Sequence, residues 1–403
     1  MDLYLGLEKD EPLPPALGDG SIFTYVEKEG KVAISPDHPF NAIDAVILAR
    51  VSYMSFDGLV LPTFGSFVRI KEVAPKYLAL CQDDEMRFVM GEDVRLMGLL
   101  KDSPRFQNLE LVGFRTSFSN ENTEQFAALT ILLPDRTAFV SFRGTDGSLN
   151  GWREDFDLGF RGVLPSDRDA SAYLREAIRA FSPYVMVRVG GHSKGGNLAA
   201  YATATLSPGD KERIKDIWLF DSPGFRRDVF LSLPYQDLKD RIHFYAPNQS
   251  IVGMILYNIA PARCVASRRT MFLQHDVYQW GVDGIAFQPS LFEPVSYGIK
   301  HMTMDIFEQM GNAQLEQSID GLFNIVRDER GDHFGDLTKK VWGNAIQSLL
   351  LFRKISPENR KPLMEAFLKV YESIRYIVRS DKSRKELAKK ALKEKAQEER
   401  KDK

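Results

Sequence analysis

The chain has 403 residues, of which 44% are hydrophobic and 27% are charged, a composition typical of a globular protein with a large core. A formal net charge of −2 excludes the strongly basic composition that nucleic-acid binding needs, so we expect no nucleic-acid partner. The 2 cysteines exclude a disulfide framework and a cysteine-based metal site.

Residues 1–40 form a predicted N-terminal extension. They lack the basic region and apolar run of a signal peptide, and the chain has no stretch of about 18 apolar residues, so we expect a cytoplasmic protein without a transmembrane segment. Residues 21–26 and 31–34 predict a small hairpin. From residue 41 to residue 53, apolar side chains recur at helical spacing, which predicts a buried helix that begins near Asn41 or Asp44.

Strands and helices alternate from about residue 109 to residue 285. The first strands are predicted as an antiparallel hairpin around the turn Pro134-Asp135-Arg136. This alternation predicts an α/β fold in which a mostly parallel sheet is flanked by helices on both faces. Predicted strands lie at 109–114, 125–133, 137–142, 185–189, 217–220, 241–245 and 264–267, and predicted helices at 92–100, 167–181, 197–205 and 251–260.

One glycine-rich stretch carries the clearest chemical signal. Gly191-His192-Ser193-Lys194-Gly195 fits the G-x-S-x-G pattern, between an apolar, β-branched run and small helix-forming residues. The order predicts a strand, a sharp turn and a helix, with Ser193 at the apex. Such a turn strains the backbone at the serine and brings the flanking chain close, so glycine is needed where a Cβ would clash. The pattern therefore indicates a serine nucleophile.

A serine nucleophile needs a base, which follows the serine in folds that use this kind of turn. Among the 6 histidines, His275 falls in a loop beyond the last predicted strand, where such a base belongs. We therefore predict His275 as the base. The other histidines are placed before the sheet, inside the turn, within a strand or in the C-terminal region; they are His38, His192, His243, His301 and His333.

The acid that orients the base should follow a strand at the same edge of the sheet. Asp221 ends the strand after the Ser193 helix and is the predicted acid. The following strand ends in Asn248-Gln249-Ser250 and offers no carboxylate. The alternative is that Asp221 caps a turn and that Asn248 or Ser250 orients the base, which stabilises an imidazolium less well. Asp276 is too close in sequence to His275 to reach its ring nitrogen.

An oxyanion formed at Ser193 needs two N–H donors. One is predicted to be the N–H of Lys194, the residue after the nucleophile. The other is predicted in the loop after the strand at 137–142, where Gly144 lets the backbone come close and Thr145 supplies an N–H and a hydroxyl.

These motifs together resemble the class 3 (fungal-type) lipases. Val140-Ser141-Phe142-Arg143-Gly144-Thr145, followed by Trp152 and Asp155, resembles their F-R-G-T…D-W segment, although here the Trp precedes the Asp. Residues 191–196 resemble their G-H-S-x-G-G turn. With residues 221–225, 250–253 and 274–280, the chain resembles a bacterial branch of that superfamily, the lipase-like Mbeg-type proteins, over roughly residues 41–285.

The resemblance implies an α/β-hydrolase-like fold, with Ser193 and His275 in a catalytic triad and Thr145 at the oxyanion loop. The chain departs from the family at one point. The D-x-V-P acid segment of class 3 lipases has the counterpart Ser250-Ile251-Val252-Gly253, with a serine in the place of the acid.

These observations predict a serine hydrolase that cleaves a carboxylic ester or acyl lipid and needs no cofactor and no metal. Its substrate is a small molecule, although the same triad also serves peptidases and thioesterases. The alternative is a degenerate hydrolase fold that acts as a binding or scaffold protein, favoured by the serine at position 250. Residues 41–285 are the predicted core domain, and residues 286–403 a helical C-terminal region whose charged tail could make weak contact with a membrane surface.

Overall fold

The computed structural model describes residues 17–82, 91–119, 124–145 and 162–309, which include every predicted site residue. Trp152, Asp155, the helices predicted beyond residue 309 and the charged tail lie outside the described residues. The described helices are α1 (Ile22–Lys28), α2 (Ala42–Val51), α3 (Ile70–Gln82), α4 (Gly91–Leu100), α5 (Pro165–Ala180), α6 (Lys194–Ala204), α7 (Pro208–Glu212), α8 (Arg227–Ser232) and α9 (Pro294–Gln309). The described strands are β1 (Val68–Arg69), β2 (Glu110–Ser119), β3 (Glu124–Leu132), β4 (Thr137–Phe142), β5 (Met186–His192), β6 (Ile214–Phe220), β7 (Ile242–Pro247), β8 (Arg263–Val265), β9 (Val282–Asp283) and β10 (Ala286–Phe287).

Strands β1 to β8 lie side by side in chain order in one 8-stranded sheet. Strands β1 to β4 pair antiparallel, and β4 to β8 pair parallel. The turn between β3 and β4 is tight, with Arg136 at φ +60°, whereas parallel neighbours need longer crossovers. The chain therefore has the predicted α/β-hydrolase-like fold, a mostly parallel sheet flanked by helices.

The sheet is covered by an apolar core on each face. Successive side chains of a strand point to opposite faces, so on β4 Phe139 joins the core beneath α2 while Val140 joins the core beneath α5 and α6. Helix α2, predicted from its apolar spacing, is buried along its whole length. Its two charged side chains lie in buried ion pairs, Asp44 with Arg105 at 2.6 Å and Arg50 with Asp93 at 2.7 Å.

Two local predictions are wrong. Residues 21–26 do not form a strand of a hairpin but enter α1, because Ser21 and Thr24 form a reciprocal capping box that starts a helix. Residues 251–260 do not form a helix: only Val252–Met254 makes a short helical turn. Leu256 has φ +66°, which ends helical backbone, and Tyr257 pairs with Phe225 in a β-bridge.

The parallel strands bring their carboxyl ends to a single edge of the sheet. Gly144 follows β4, Ser193 follows β5, Asp221 follows β6 and Asn248 follows β7. Distant parts of the sequence therefore meet at this edge. None of the helices in the described ranges has the length and apolar character needed to cross a bilayer.

Candidate active site

Ser193 occupies a strained turn between β5 and α6. Its backbone has φ +58° and ψ −135°, a conformation that non-glycine residues rarely adopt and that is usually held by surrounding structure. Here the N–H of Ser193 donates to the carbonyl of Phe220 at 2.9 Å, and its own carbonyl accepts from Gly196 at 3.0 Å. The strain predicted from the G-x-S-x-G pattern is therefore present at the predicted residue.

The glycines of this turn are required by close backbone contacts. A Cβ on Gly191 would lie 2.3 Å from the carbonyl carbon of Gly195, and a Cβ on Gly195 would lie 2.1 Å from the carbonyl oxygen of Phe142. Neither contact can be relieved by moving a flexible side chain. The start of α6 thus packs against the ends of both β4 and β5.

His275 and Asp221, predicted from sequence as base and acid, form a hydrogen bond. Nδ1 of His275 lies 2.7 Å from Oδ2 of Asp221. The carboxylate is buried, whereas a quarter of the His275 side chain is exposed. Asp221 has φ +43°, a left-handed conformation that aspartate tolerates better than most residues. With Nδ1 bound to the carboxylate, Nε2 is the nitrogen available for proton exchange.

The second oxygen of Asp221 is held by two further donors. The hydroxyl of Ser250 lies 2.5 Å from Oδ1, and the N–H of Gly253 lies 3.0 Å from it. A buried carboxylate requires such partners because it has lost its water. Ser250, which the sequence left open as an orienter of the predicted base, instead binds Asp221.

The other sequence candidates near the base bind different partners. Asn248 donates from Nδ2 to Glu293 at 2.9 Å and accepts at Oδ1 from Gln274 at 3.0 Å. Asp276 accepts from the N–H of Tyr278 at 3.0 Å and so caps a turn. Both side chains stabilise the loop around His275 rather than its ring.

Gln274 anchors the His275 loop to the end of β7, a role that sequence reasoning missed. Its buried side chain accepts from the N–H of Gln249 at 2.8 Å and donates to Asn248. The backbone carbonyl of Gln274 accepts from the indole N–H of Trp280 at 2.8 Å, and Trp280 is fully buried. The Gln-His-Asp…Trp spacing was the available signal for this anchor.

A second imidazole, that of His192, lies beside the ring of His275. Nε2 of His192 is 2.8 Å from the carbonyl oxygen of His275, and the two ring centroids are 4.4 Å apart. Nδ1 of His192 is 3.1 Å from the hydroxyl of Tyr53. Burial, and then the electrostatic influence of the neighbouring His275 and Arg50, lower the pKa of His192 well below its ordinary value. His192 is therefore neutral at physiological pH.

Two of the predicted oxyanion residues, Gly144 and Lys194, lie next to Ser193. A Cβ on Gly144 would lie 2.7 Å from the carbonyl oxygen of His192 and 3.1 Å from Cβ of Ser193, so this loop touches the strained turn. Thr145 follows and is half-buried. Lys194 is buried and is the first residue of α6.

Within the described ranges, no group of three or more His, Cys, Asp or Glu side chains is arranged to hold a metal ion.

The chain is similar in structure to several solved lipases. One is a lipase from Rhizopus microsporus var. chinensis, with 15% sequence identity, coverage of 70% of this chain and 88% of that chain, and a TM-score of 0.33. Another is lipase II from Rhizopus niveus, with 12% sequence identity, coverage of 64% of this chain and 88% of that chain, and a TM-score of 0.33. A third is the Rhizomucor miehei lipase in its propeptide complex, with 15% sequence identity, coverage of 60% of this chain and 80% of that chain, and a TM-score of 0.29.

No curated protein is similar enough in sequence to count as a match. The sequence pattern of one family, described as Mbeg1-like, matches residues 100–324, which is more than half of the chain and includes Ser193, Asp221 and His275. This protein therefore belongs to the Mbeg1-like family.

Proposed function

We propose that this protein is a serine hydrolase that cleaves a carboxylic ester or acyl lipid. The observation that carries the proposal is the 2.7 Å hydrogen bond between His275 and Asp221 at the same sheet edge as the strained Ser193. A serine, a histidine and a buried carboxylate in these positions are the parts that nucleophilic acyl transfer requires.

In the proposed first step, Nε2 of His275 takes the proton of the Ser193 hydroxyl as its oxygen attacks the ester carbonyl carbon. Asp221 accepts the hydrogen bond from Nδ1–H and stabilises the imidazolium. The tetrahedral intermediate then collapses, and His275 gives its proton to the departing alcohol oxygen. Water, deprotonated by His275, attacks the acyl-enzyme; the carboxylic acid leaves and Ser193 regains its proton.

The negative oxygen of the tetrahedral intermediate needs donors that are already in place. We propose the N–H groups of Lys194 and Thr145 for this role. Lys194 stands at the N-terminus of α6, where the helix dipole favours negative charge. Gly144 supports the proposal because its lack of a Cβ allows the β4 loop to approach Ser193.

The alternative function, a degenerate scaffold protein, depended on the serine at position 250. The hydrogen bonds from His275 and Ser250 to Asp221 favour an enzyme, because they give the proposed base a carboxylate partner despite the serine at position 250. The resemblance to class 3 lipases favours an ester over an amide or thioester.

A fluorophosphonate probe tests the proposal, because it reacts only with an activated serine. We expect the folded protein to become labelled, the Ser193→Ala variant to remain unlabelled, and Ser182→Ala to label like the wild type. Ser182 is a matched control because it lies before β5, at the opposite end of the strand from Ser193. Absence of labelling in the folded wild type would overturn the proposal.

A further inference from the structure

His192 fixes the backbone of the proposed base through a hydrogen bond of defined direction. A carbonyl oxygen only accepts, so Nε2 of His192 carries the proton that it shares with the carbonyl of His275 at 2.8 Å. In a neutral imidazole the other nitrogen, Nδ1, is then an acceptor and faces the hydroxyl of Tyr53 at 3.1 Å. The contact with His275 therefore sets the tautomer of His192.

The chain after His275 is held at Tyr278 by a buried ion pair. The hydroxyl of Tyr278 donates to Oδ1 of Asp93 at 2.6 Å, and Asp93 pairs with Arg50 at 2.7 Å. The guanidinium of Arg50 lies 3.9 Å above the ring of Tyr53 and 5.5 Å from the ring of Tyr278. Helices α2 and α4 thus hold the segment that follows His275.

The base needs external support because its own segment is short and lies at the surface. His275 ends the helical turn Met271–His275, in which Leu273 is 63% exposed. In the proposed mechanism its ring must keep Nδ1 on Asp221 while Nε2 exchanges a proton with Ser193. Displacement of a reacting group by about 1 Å can reduce a rate by roughly 100-fold.

We propose that His192 and Tyr53 are positioning residues for the catalytic base, with the neutral imidazole of His192 holding the His275 backbone and Tyr53 holding His192. The inference rests on the proposed hydrolase function. Tyr53, Arg50 and Asp93 precede residue 100, where the family match begins, so the N-terminal part of the chain supports the site. Neither Tyr53 nor His192 is assigned contact with substrate.

The test compares His192→Gln with His192→Met, two side chains of similar volume and flexibility. Glutamine retains an N–H donor for the carbonyl of His275, and methionine does not. We expect Met to lower kcat for a p-nitrophenyl ester roughly 10- to 100-fold, with KM changed less than about threefold. Gln should recover most of that loss, and the rate of fluorophosphonate labelling should follow kcat.

Tyr53→Phe tests the second link. It should lower kcat several-fold in the wild type but have no further effect in the His192→Met background, because Tyr53 acts through His192. Tyr25→Phe is the matched control, since it removes another buried tyrosine hydroxyl, hydrogen-bonded to Asp44 at 2.8 Å and remote from the site. It should leave kcat unchanged.

Equal loss of kcat in the Gln and Met variants, or full activity in the Met variant, would overturn the inference. Thermal unfolding of each variant shows whether it is folded. If His192→Met does not fold, the inference is tested by Tyr53→Phe alone. A folded Tyr53→Phe variant with the kcat of the wild type would then reject the inference. If the folded wild type is not labelled by the fluorophosphonate, both the proposed function and this inference are rejected. If the wild type is labelled but the His192 and Tyr53 variants keep its kcat, only this inference is rejected.

Discussion

Ser250 donates its hydroxyl hydrogen bond to Asp221 at 2.5 Å, although the two residues stand at the ends of different strands. Strands β6 and β7 are parallel neighbours, and neighbouring strands lie about 4.8 Å apart. Side chains that follow them can therefore reach the same point. In the resemblance to class 3 lipases, position 250 corresponds to the acid. Here a serine stands at that position, and its hydroxyl binds a carboxylate on the neighbouring strand that also accepts from His275.

Asp221→Asn should abolish most activity. An asparagine fits the same space but cannot stabilise an imidazolium and favours the wrong tautomer of His275, which costs roughly 10⁴-fold in a serine triad. We expect kcat to fall by about that factor with little change in KM. The measurement is steady-state hydrolysis of a p-nitrophenyl ester.

Asp276→Asn is the matched control for that variant. Asp276 is adjacent to His275 but caps the turn at Tyr278, and asparagine is an equally good cap. Its activity should remain within about threefold of the wild type. A loss of activity in Asp276→Asn comparable to that in Asp221→Asn would contradict the assignment of Asp221 as the acid.

Exchange of the acid between strands is a second prediction. Asp221→Ser removes the carboxylate. The additional substitution Ser250→Asp places a carboxylate on the neighbouring strand, within reach of Nδ1 of His275. We expect the double variant to recover at least about tenfold of the kcat lost in Asp221→Ser, because the carboxylate and not its strand stabilises the imidazolium.

The matched control pairs Asp221→Ser with Ser250→Asn, which has the same size but no charge. It should recover nothing. Equal recovery by the Asn and Asp double variants would show that packing, rather than charge, limits the single variant.

Local patterns were sufficient to predict the framework of the site. The turn at Ser193 could be predicted because strand, glycines and helix are contiguous, and its strained φ of +58° follows from that order. The sheet edge followed from the alternation of strands and helices. Asp221 was predicted from its place at a strand end and His275 from its loop beyond the last predicted strand, and the structure joins them across 54 positions of sequence.

Contacts between distant polar residues could not be predicted in this way. Tyr53 and His192 are 139 positions apart, and nothing in either local sequence indicates the other. Ser250 was recognised as the serine in the place of the family's acid and as an alternative orienter of the base, but not as a donor to Asp221, because that contact depends on the neighbouring strand. At residues 21–26 the error was local: the apolar, β-branched residues suggested a strand, but the capping box of Ser21 and Thr24 starts a helix.

Gly195→Ala should disrupt the turn at Ser193. The new Cβ would lie 2.1 Å from the carbonyl oxygen of Phe142, so the backbone must move, at a cost of about 1–3 kcal/mol or more in the free energy of unfolding. Labelling of Ser193 by a fluorophosphonate should slow or cease. Urea unfolding and labelling rates measure the two effects.

Gly98→Ala is the control for that variant. Gly98 lies inside α4, and a Cβ there meets nothing within 4 Å. Alanine should stabilise the protein by about 0.5–1 kcal/mol, because glycine in a helix loses more conformational freedom on folding. Similar destabilisation by both variants would contradict the proposed clash.

The depressed pKa of His192 predicts a specific loss of stability in acid. Burial is the main cause, and the groups that face the ring are Tyr53, His275 and Arg50. Below its ordinary pKa of 6.5, His192 binds a proton in the unfolded chain but not in the folded one. The free energy of unfolding therefore falls as the pH falls below that value, by up to about 1.4 kcal/mol per pH unit from this residue.

His192→Gln removes the titrating group while retaining a donor to the carbonyl of His275. In urea unfolding at a series of pH values below 6.5, the wild type should lose stability more steeply than the variant, with a difference in slope approaching one proton. At higher pH the two slopes should be the same, because His192 is then neutral in both states. Parallel curves throughout the acid range would mean that His192 binds a proton in the folded protein, which is incompatible with its two hydrogen bonds to Tyr53 and His275 as a neutral imidazole.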